Sequence, residues 1–339
     1  MAESGGHWNN LAEVAKLSQS TLVPGVIEET IKRGSVLGFA PLSQAADSGT
    51  SIKWNRESTT MEASVQDISI GEGLSWTEAV TYDQQETTLK ISYLGTKLDN
   101  FVRDIYGNRN NYEAIRLMEL QKAVMLKLGD KFIYDDVTYG GAKQFDGLHA
   151  LAAENSGNLN IDEGEGALSI MNIRLMIDAM KHGCDGLFMS YVLARRIDAS
   201  VQEAGIASYA GMGSVSFAYD EMGKRVSFFD GIPIVRSDYL VAEQVNTGAG
   251  SDARAKNTGT AQYSIFGIKF GQVMLQQPGL SIGFGGTNGM GEFFKVRYFA
   301  ELPEYDAGGI QVLTYVAPLL GSSMGLGRIY DITDAAVTA

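Results

Sequence analysis

The segment from residue 110 to residue 136 reads NNYEAIRLMELQKAVMLKLGDKFIYDD and carries the clearest structural pattern in the chain. Its apolar side chains recur every three or four residues, which places them on one face of an α-helix. We predict a single helix over residues 110–135, roughly 35 to 40 Å long. Asn110 or Asn111 is its expected N-cap, because a side-chain oxygen there can accept from a free amide. The apolar stripe comprises Leu117, Leu120, Val124, Leu128 and Phe132, with Met118 and Met125 beside it.

Upstream of this helix, residues 51–93 alternate in polarity and are rich in β-forming side chains. Gly71-Glu72-Gly73 separates two strand-like runs, so we predict a long hairpin with its tip at these residues. A hairpin alone is only marginally stable in water and needs a surface to lie against. Residues 1–50 show little periodic hydrophobicity, and we predict an extended arm that lies on another surface, such as a second subunit.

Downstream, the pattern predicts a helix, a short buried strand and a second helix. The first helix starts after Ser169 and ends at Gly183, and the second starts after Ser190 and ends at Gly205. The strand between them is residues 186–189. Period-two and apolar runs follow at 226–229, 232–235, 263–268 and 293–299, whereas residues 247–260 are rich in Gly, Ser, Asn and Ala and predict a flexible surface loop. The fold class is therefore α+β.

Composition excludes several classes of protein. The 339 residues include 27 Lys and Arg against 40 Asp and Glu, a net charge of −13, with 45% hydrophobic residues. This is a folded globular chain, and its acidity disfavours nucleic-acid recognition, which depends on Lys and Arg. A single cysteine, Cys184, cannot form a disulfide within the chain, and we predict a buried thiol rather than a nucleophile. No apolar run is long enough to span a bilayer, so we predict no membrane association.

Two stretches resemble ligand-binding loops. Residues 283–291, GFGGTNGMG, suggest a phosphate-binding loop, but a dinucleotide fingerprint starting at Gly283 needs glycine where Asn288 stands. We interpret this run as a β-turn connection. Residues 158–166, NLNIDEGEG, suggest a calcium loop, but the sixth position holds Glu163 and the twelfth Ser169, where an EF-hand needs Gly and Glu. A solvated loop is the simpler interpretation, with an adventitious cation site as the alternative.

Other reactive side chains form no catalytic pattern. The adjacent carboxylates Asp135 and Asp136, like Glu28 and Glu29, point in different directions on a regular backbone. The histidines are far apart in sequence and lack the spacing of zinc ligands. These are His7, His149 and His182. We therefore predict no catalytic, cofactor-binding or metal-binding residues, no cofactor, and no enzyme activity.

The order of these elements resembles the major capsid proteins of tailed bacteriophages, which have the HK97-like fold. The resemblance covers about residues 5 to 320, and its specificity lies in the ordered set of motifs rather than in any one of them. After the arm and the hairpin come 131–136 (KFIYDD), 145–148 (FDGL), 187–190 (LFMS), 229–235 (FDGIPIV), 265–271 (IFGIKFG) and 296–300 (VRYFA).

The resemblance implies four parts of the chain. Residues 1–50 are the N-terminal arm, and residues 51–95 are the E-loop hairpin, which lies over an adjacent subunit. Residues 96–160 and 262–310 form the P-domain with a long sheet and the spine helix 110–135. Residues 161–261 and 311–339 form the axial A-domain and the C-terminal segment.

The resemblance also implies a structural protein that self-assembles, through hexamers and pentamers, into an icosahedral shell around a double-stranded DNA genome. Its location is the virion capsid, assembled in the host cytoplasm. A separate scaffolding protein and a portal are implied partners, together with a possible decoration protein. Lys53 and Lys90 lie near the hairpin base, so we do not extend the family's isopeptide cross-links to them. The charge of −13 predicts an inner wall that encloses DNA without ionic or sequence-specific contact.

Three alternatives stay open at this point, of which a tail-tube or fibre protein is the least favoured, because such chains seldom contain a spine helix of about 25 residues. The first is an encapsulin-type nanocompartment, which shares the fold but holds a cargo enzyme. The second, from another class, is a nucleotide-binding enzyme that uses the Gly283–Gly291 loop. Genes for a terminase and a portal nearby would favour a virus, and stabilisation of the protein by nucleotides would favour the enzyme.

Overall fold

The computed structural model describes residues 30–45, 51–73, 76, 80–106, 112–203, 215–219, 225–245, 254–256, 262–285, 293–303 and 305–338. Within these ranges the α-helices are α1 (Asn100–Tyr106), α2 (Tyr112–Tyr134), α3 (Val137–Gly140), α4 (Leu148–Ala153), α5 (Ile170–Ala179) and α6 (Tyr191–Glu203). The strands are β1 (Leu42–Ala45), β2 (Ser51–Thr59), β3 (Thr81–Thr88), β4 (Lys90–Asp99), β5 (Asn160–Asp162), β6 (Ala167–Ser169), β7 (Gly186–Ser190), β8 (Val215–Tyr219), β9 (Arg225–Phe229), β10 (Ile232–Ser237), β11 (Glu243–Val245), β12 (Arg254–Lys256), β13 (Gln262–Ile268), β14 (Leu280–Gly285), β15 (Lys295–Phe299), β16 (Ala307–Leu320) and β17 (Leu326–Thr338).

A five-stranded sheet supports the long helix. Its central strand β16 pairs antiparallel with β4 along one side and with β14 and β15 along the other, while β1 pairs parallel with β14. The buried face of α2 packs in one core with this sheet. The helix predicted over 110–135 is confirmed as Tyr112–Tyr134, whereas the predicted caps Asn110 and Asn111 lie outside the described residues.

A ten-stranded sheet forms the other large element. Its strand β7 is buried at all five positions and lies between β10, to which it is parallel, and β13, to which it is antiparallel. Helices α5 and α6 contact the long C-terminal strand β17 of the same sheet. The predicted helix, buried strand and helix are thus confirmed, except that the first helix ends at Ala179 rather than at Gly183. Ser190 caps α6 by accepting from the amide of Leu193 at 3.3 Å, and Gly205 lies outside the described residues.

The predicted hairpin is confirmed in its paired strands, but the strand-like runs predicted next to the tip are not, since the described residues 60–73, 76 and 80 contain no strand. Strands β2 and β3 pair antiparallel from Ser51 opposite Thr88 to Thr59 opposite Thr81. At the tip, the amide of Glu72 donates to the carbonyl of Ser69 at 3.1 Å, and Gly71 has a φ of +90°, which glycine adopts without strain. The predicted limit at residue 95 extends too far, because residues 90–95 belong to β4 and pair with β16.

Two predictions about irregular segments are wrong in part. Residues 36–45 are not an arm lying on another subunit, since Val36, Leu37 and Ala40 are buried in this chain's core and β1 joins the sheet. Residues 1–29 lie outside the described residues. Likewise Arg254, in the predicted surface loop 247–260, is buried at the start of β12. In both segments the residues that they contact are distant in sequence, so the local sequence pattern cannot predict these contacts.

The predicted division of the chain cuts across the sheets in two places. The boundary at 310/311 falls inside β16, and residues 262–268, assigned to the P-domain, form a strand of the ten-stranded sheet. The division itself stays a prediction.

The glycine-rich run begins inside a strand, because Gly283–Gly285 end β14. A Cβ on Gly283 would lie 2.9 Å from a methyl carbon of Leu319, so this glycine serves close packing. Residues 286–291 lie outside the described residues.

Candidate assembly surfaces

The hairpin carries an exposed apolar surface beyond its paired strands. We call residues 60–80, described at 60–73, 76 and 80, the distal loop. Within it the side chains of Ile70 and Trp76 are almost fully exposed, at 109% and 95%, and Val65 is 78% exposed. Soluble monomers rarely leave large apolar side chains grouped in water, so such a surface indicates a contact site. Met61 and Ile68 are also exposed in the same loop.

The same part of the hairpin is acidic. Residues 57–89 contain seven Asp and Glu residues and no Lys or Arg. Three of these carboxylates have local partners: Glu86 lies 2.9 Å from Lys53, Glu72 accepts from the amide of Ser69 at 2.9 Å, and Asp83 accepts from the side chain of Gln85. The distal loop therefore presents apolar side chains within an uninterrupted negative segment. The run was visible in the sequence, but its significance depends on the exposure of the loop.

The base of the hairpin is attached to the body by a small number of contacts. Arg56 donates to the carbonyls of Leu320 and Gly321, at 2.6 and 3.0 Å. Burial lowers the pKa of Arg56, against the opposite effect of the Glu154 and Asp83 carboxylates. Ile52 packs with Val273 and Leu319 in a small apolar cluster that is separate from the larger cores. These contacts fix the direction in which the hairpin leaves the body.

A groove between β4 and α2 forms a second candidate surface. Its volume is about 290 Å³, and its lining includes Tyr93 and Leu94 of β4 and Val124 of the helix. Lys127 and Lys131 also line it, and Lys127 is exposed. The groove therefore combines apolar walls with positive charge, the complement of the distal loop.

The structure separates the residues that the sequence suggested for chemistry. Asp136 caps α3 by accepting from the amide of Thr138 at 2.7 Å, whereas Asp135 lies 3.9 Å from Lys131 and burial raises its pKa. Burial also raises the pKa of the Cys184 thiol to about 11, which disfavours a nucleophilic role, and the side chain is half-buried where the sequence predicts a buried one. Glu28 and Glu29 lie outside the described residues.

The calcium-like loop uses its acidic side chains locally. Asp162 accepts from the amide of Gly164 at 2.8 Å, and Glu163 accepts from the side chain of Asn172 at 2.9 Å. In the described part of the chain, no group of three His, Cys, Asp or Glu residues is arranged to hold a metal. Nor does any helix of that part combine the length and hydropathy needed to cross a bilayer.

Sequence reasoning missed a buried polar cluster. His149, Glu243, Arg254 and Arg328 are each at most 3% exposed and lie together where α4 meets the larger sheet. His149 and Arg328 are 179 residues apart in the chain, so no spacing rule could join them. The rarity of buried arginine is a general signal, but it becomes visible only after folding.

Comparison with known proteins gives the fold. No protein-family model matches the chain, and no curated protein matches it. Among solved structures, the holo-SrpI encapsulin complex from Synechococcus elongatus PCC 7942 matches with a TM-score of 0.65 and 12% identity, over 98% of this chain and 98% of that chain. The capsid of the native GTA particle matches with a TM-score of 0.58 and 13% identity, over 93% and 94%. The capsid of cyanophage P-SCSP1u matches with a TM-score of 0.56 and 13% identity, over 93% of each chain. The chain thus has the HK97-like fold that these capsid and encapsulin shells share.

Proposed function

We propose that this chain is the major capsid protein of a tailed bacteriophage and that its copies assemble into an icosahedral shell around double-stranded DNA. The observation that carries the proposal is the distal loop, whose large apolar side chains project from a hairpin and are not covered by the rest of the described chain. A likeness to shell proteins over more than nine-tenths of both chains supports it.

The two candidate surfaces suggest how copies associate. The distal loop is apolar and acidic, while the groove between β4 and α2 is apolar and contains Lys127 and Lys131. Because these surfaces differ, a loop of one copy on the groove of the next gives a head-to-tail contact, which forms a ring where the rotation between copies closes. Rings of five and six copies are the pentamers and hexamers of the proposed shell. Burial of each large apolar side chain contributes about 1.5–3 kcal/mol.

The remaining parts of the proposal follow from the family resemblance. A separate scaffolding protein, a portal and a decoration protein are the proposed partners, with assembly in the host cytoplasm and the virion capsid as the final location. We propose the N-terminal arm, E-loop, P-domain and A-domain that the resemblance implies, except that residues 36–45 pack in this chain's core and residues 90–95 belong to β4. The net charge of −13 supports an inner wall without ionic contacts to DNA.

A matched pair of variants tests the function. The full chain, expressed with its candidate scaffolding protein, should yield closed particles in negative-stain micrographs. Ile70→Ser with Trp76→Ser should raise the concentration needed for assembly at least about tenfold, since each side chain loses more than 1.4 kcal/mol of burial. Met171→Ser removes a side chain of α5 that is also exposed and should assemble normally. Wild-type chains that stay monomeric under every assembly condition would overturn the proposal.

An encapsulin-type compartment is the second candidate, because the SrpI encapsulin complex matches over 98% of both chains. Particles purified from the native source distinguish the two. A capsid would contain DNA that survives nuclease added outside the shell, whereas a compartment would contain an enzyme in fixed proportion to the shell protein. The nucleotide-binding alternative is disfavoured, because the space beside Gly283 is filled by Leu319 and Ile52.

A further inference from the structure

His149 is held between an acceptor and a donor. It lies at the start of α4 and is 2% exposed. Its Nε2 atom is 3.1 Å from Oε2 of Glu243 on β11, and its Nδ1 atom is 3.3 Å from Nη1 of Arg328 on β17. A guanidinium can only donate hydrogen bonds and a carboxylate can only accept them. The neutral imidazole with its proton on Nε2 therefore satisfies both neighbours at once.

A second proton has no favourable place on this side chain. It would sit on Nδ1 and face the N–H group of Arg328, so one hydrogen bond would be lost and two donors would meet. Glu243 and the partly buried Asp331 face Arg254 and Arg328 in this cluster, so a proton on His149 would add to the two positive charges beside it. Burial is the main cause that lowers the pKa of His149, Glu243 acts in the opposite direction, and the two arginines lower it further.

Every element around His149 contributes to this enclosure. From α2, the ring of Tyr134 stacks on the imidazole at 5.4 Å, and burial raises the pKa of that phenol. From β13, Phe266 packs edge-on at 4.9 Å and Ser264 donates to Glu243. From β12, Lys256 lies over Tyr134 and pairs with Asp130.

Of the charged groups facing this site, His149 alone has an ordinary pKa between pH 5 and 8. The others are Glu243 of β11, Arg254 of β12, Arg328 and Asp331 of β17, and Asp162 of β5 beside Tyr330.

The cluster lies where two parts of the molecule meet. Helices α2 and α4 pack in a core with the five-stranded sheet, and that core also contains Phe266 and Leu326 of the ten-stranded sheet. Strands β11, β12 and β17 belong to the ten-stranded sheet. We call the contact of His149 with Glu243 and Arg328 the seam. We propose that His149 is an acid-sensitive lock, which holds the seam closed while neutral and loosens it when protonated. The inference does not depend on the proposed shell function.

The direction of the pH effect follows from linkage. The pKa of His149 in the folded chain is lowered from its ordinary value of about 6.5. Below about pH 6.5 the unfolded chain takes up a proton that the folded chain refuses, so stability falls as the pH falls. The folding equilibrium constant decreases by up to about tenfold per pH unit until the folded pKa is reached. The pKa of Glu243 is lowered, so its own contribution is lost only in more acidic solution.

The test replaces the imidazole with a group that cannot titrate. In His149→Gln the carboxamide can donate to Glu243 and accept from Arg328, so both hydrogen bonds have a substitute. The matched control is His182→Gln, at an exposed histidine. Urea unfolding and amide exchange of residues 243–245 and 326–330 are measured on the full chain from pH 7.5 to 5.0. The free energy of unfolding of the wild type and of His182→Gln should decrease as the pH falls. In His149→Gln most of this pH dependence should be absent.

Parallel pH profiles for wild type and His149→Gln would overturn the proposal. If His149→Gln fails to fold, an NMR titration of the wild-type histidines decides the question, with His182→Gln used for assignment. A His149 resonance that remains neutral below pH 6 supports the lock. A resonance that titrates near the ordinary pKa of about 6.5 overturns it.

Discussion

The seam at His149 and the hairpin β2–β3 are both places where distant parts of the chain meet, but they are built in opposite ways. The charged side chains of the seam face one another, and His149, Glu243 and Arg328 are at most 2% exposed. The hairpin rests on Arg56 and a small apolar cluster, and its distal loop remains exposed. The side chains of the seam thus contact one another within the chain, whereas the distal loop is left exposed for contact with another molecule.

The largest effect on stability is expected at the seam. Glu243→Gln keeps the shape of the side chain but removes the buried negative charge that faces Arg254 and that accepts hydrogen bonds from His149 and Ser264. Breaking a buried charge pair costs about 3–5 kcal/mol, and urea unfolding at pH 7.5 should show a loss of that order. The control is Glu72→Gln in the distal loop, which should change stability by less than about 0.5 kcal/mol. Equal losses of stability in Glu243→Gln and Glu72→Gln would contradict this prediction.

A smaller effect is expected where the hairpin joins the body. Arg56→Ala removes the two hydrogen bonds to the carbonyls of Leu320 and Gly321 and should cost about 1–2 kcal/mol. Amide exchange should accelerate in β2 and β3 and stay unchanged in β7, because the hairpin loosens without unfolding the body. Arg174→Ala breaks an exposed ion pair with Asp230 and serves as the control, with a loss of at most about 1 kcal/mol. Uniform acceleration throughout the chain would contradict this prediction.

The parts of the fold that the sequence predicts are those with local periodicity. Helix α2, the unit from α5 to α6 and the hairpin tip follow from spacings of two, three and four residues, which determine which side chains share a face. The glycines at Gly71 and Gly183 have positive φ angles and mark the turns where these patterns end. Such features need no knowledge of the rest of the chain.

What the sequence could not predict depends on distant partners. Strand β1 pairs with residues more than 200 positions away, and Arg254 looks like part of a polar loop until Asp331 is placed beside it. His149 lacks the sequence spacing of zinc ligands, and its partners Glu243 and Arg328 lie 94 and 179 residues away. The acidic run 57–89 is visible in the sequence, but the basic groove that complements it forms only when β4 and α2 come together in the fold.

The smallest effect on the isolated subunit is expected from exchanging charges between the two assembly surfaces. Asp67→Lys in the distal loop and Lys127→Glu in the groove change exposed side chains, so each should alter the free energy of unfolding by less than about 0.5 kcal/mol. Each should nevertheless weaken assembly, because like charges would then face each other between copies, and the double variant should restore it. Light scattering across salt concentrations measures this, since screening should reduce the penalty of both single variants. A double variant that assembles no better than its parents would show that these surfaces do not meet, even if shells form.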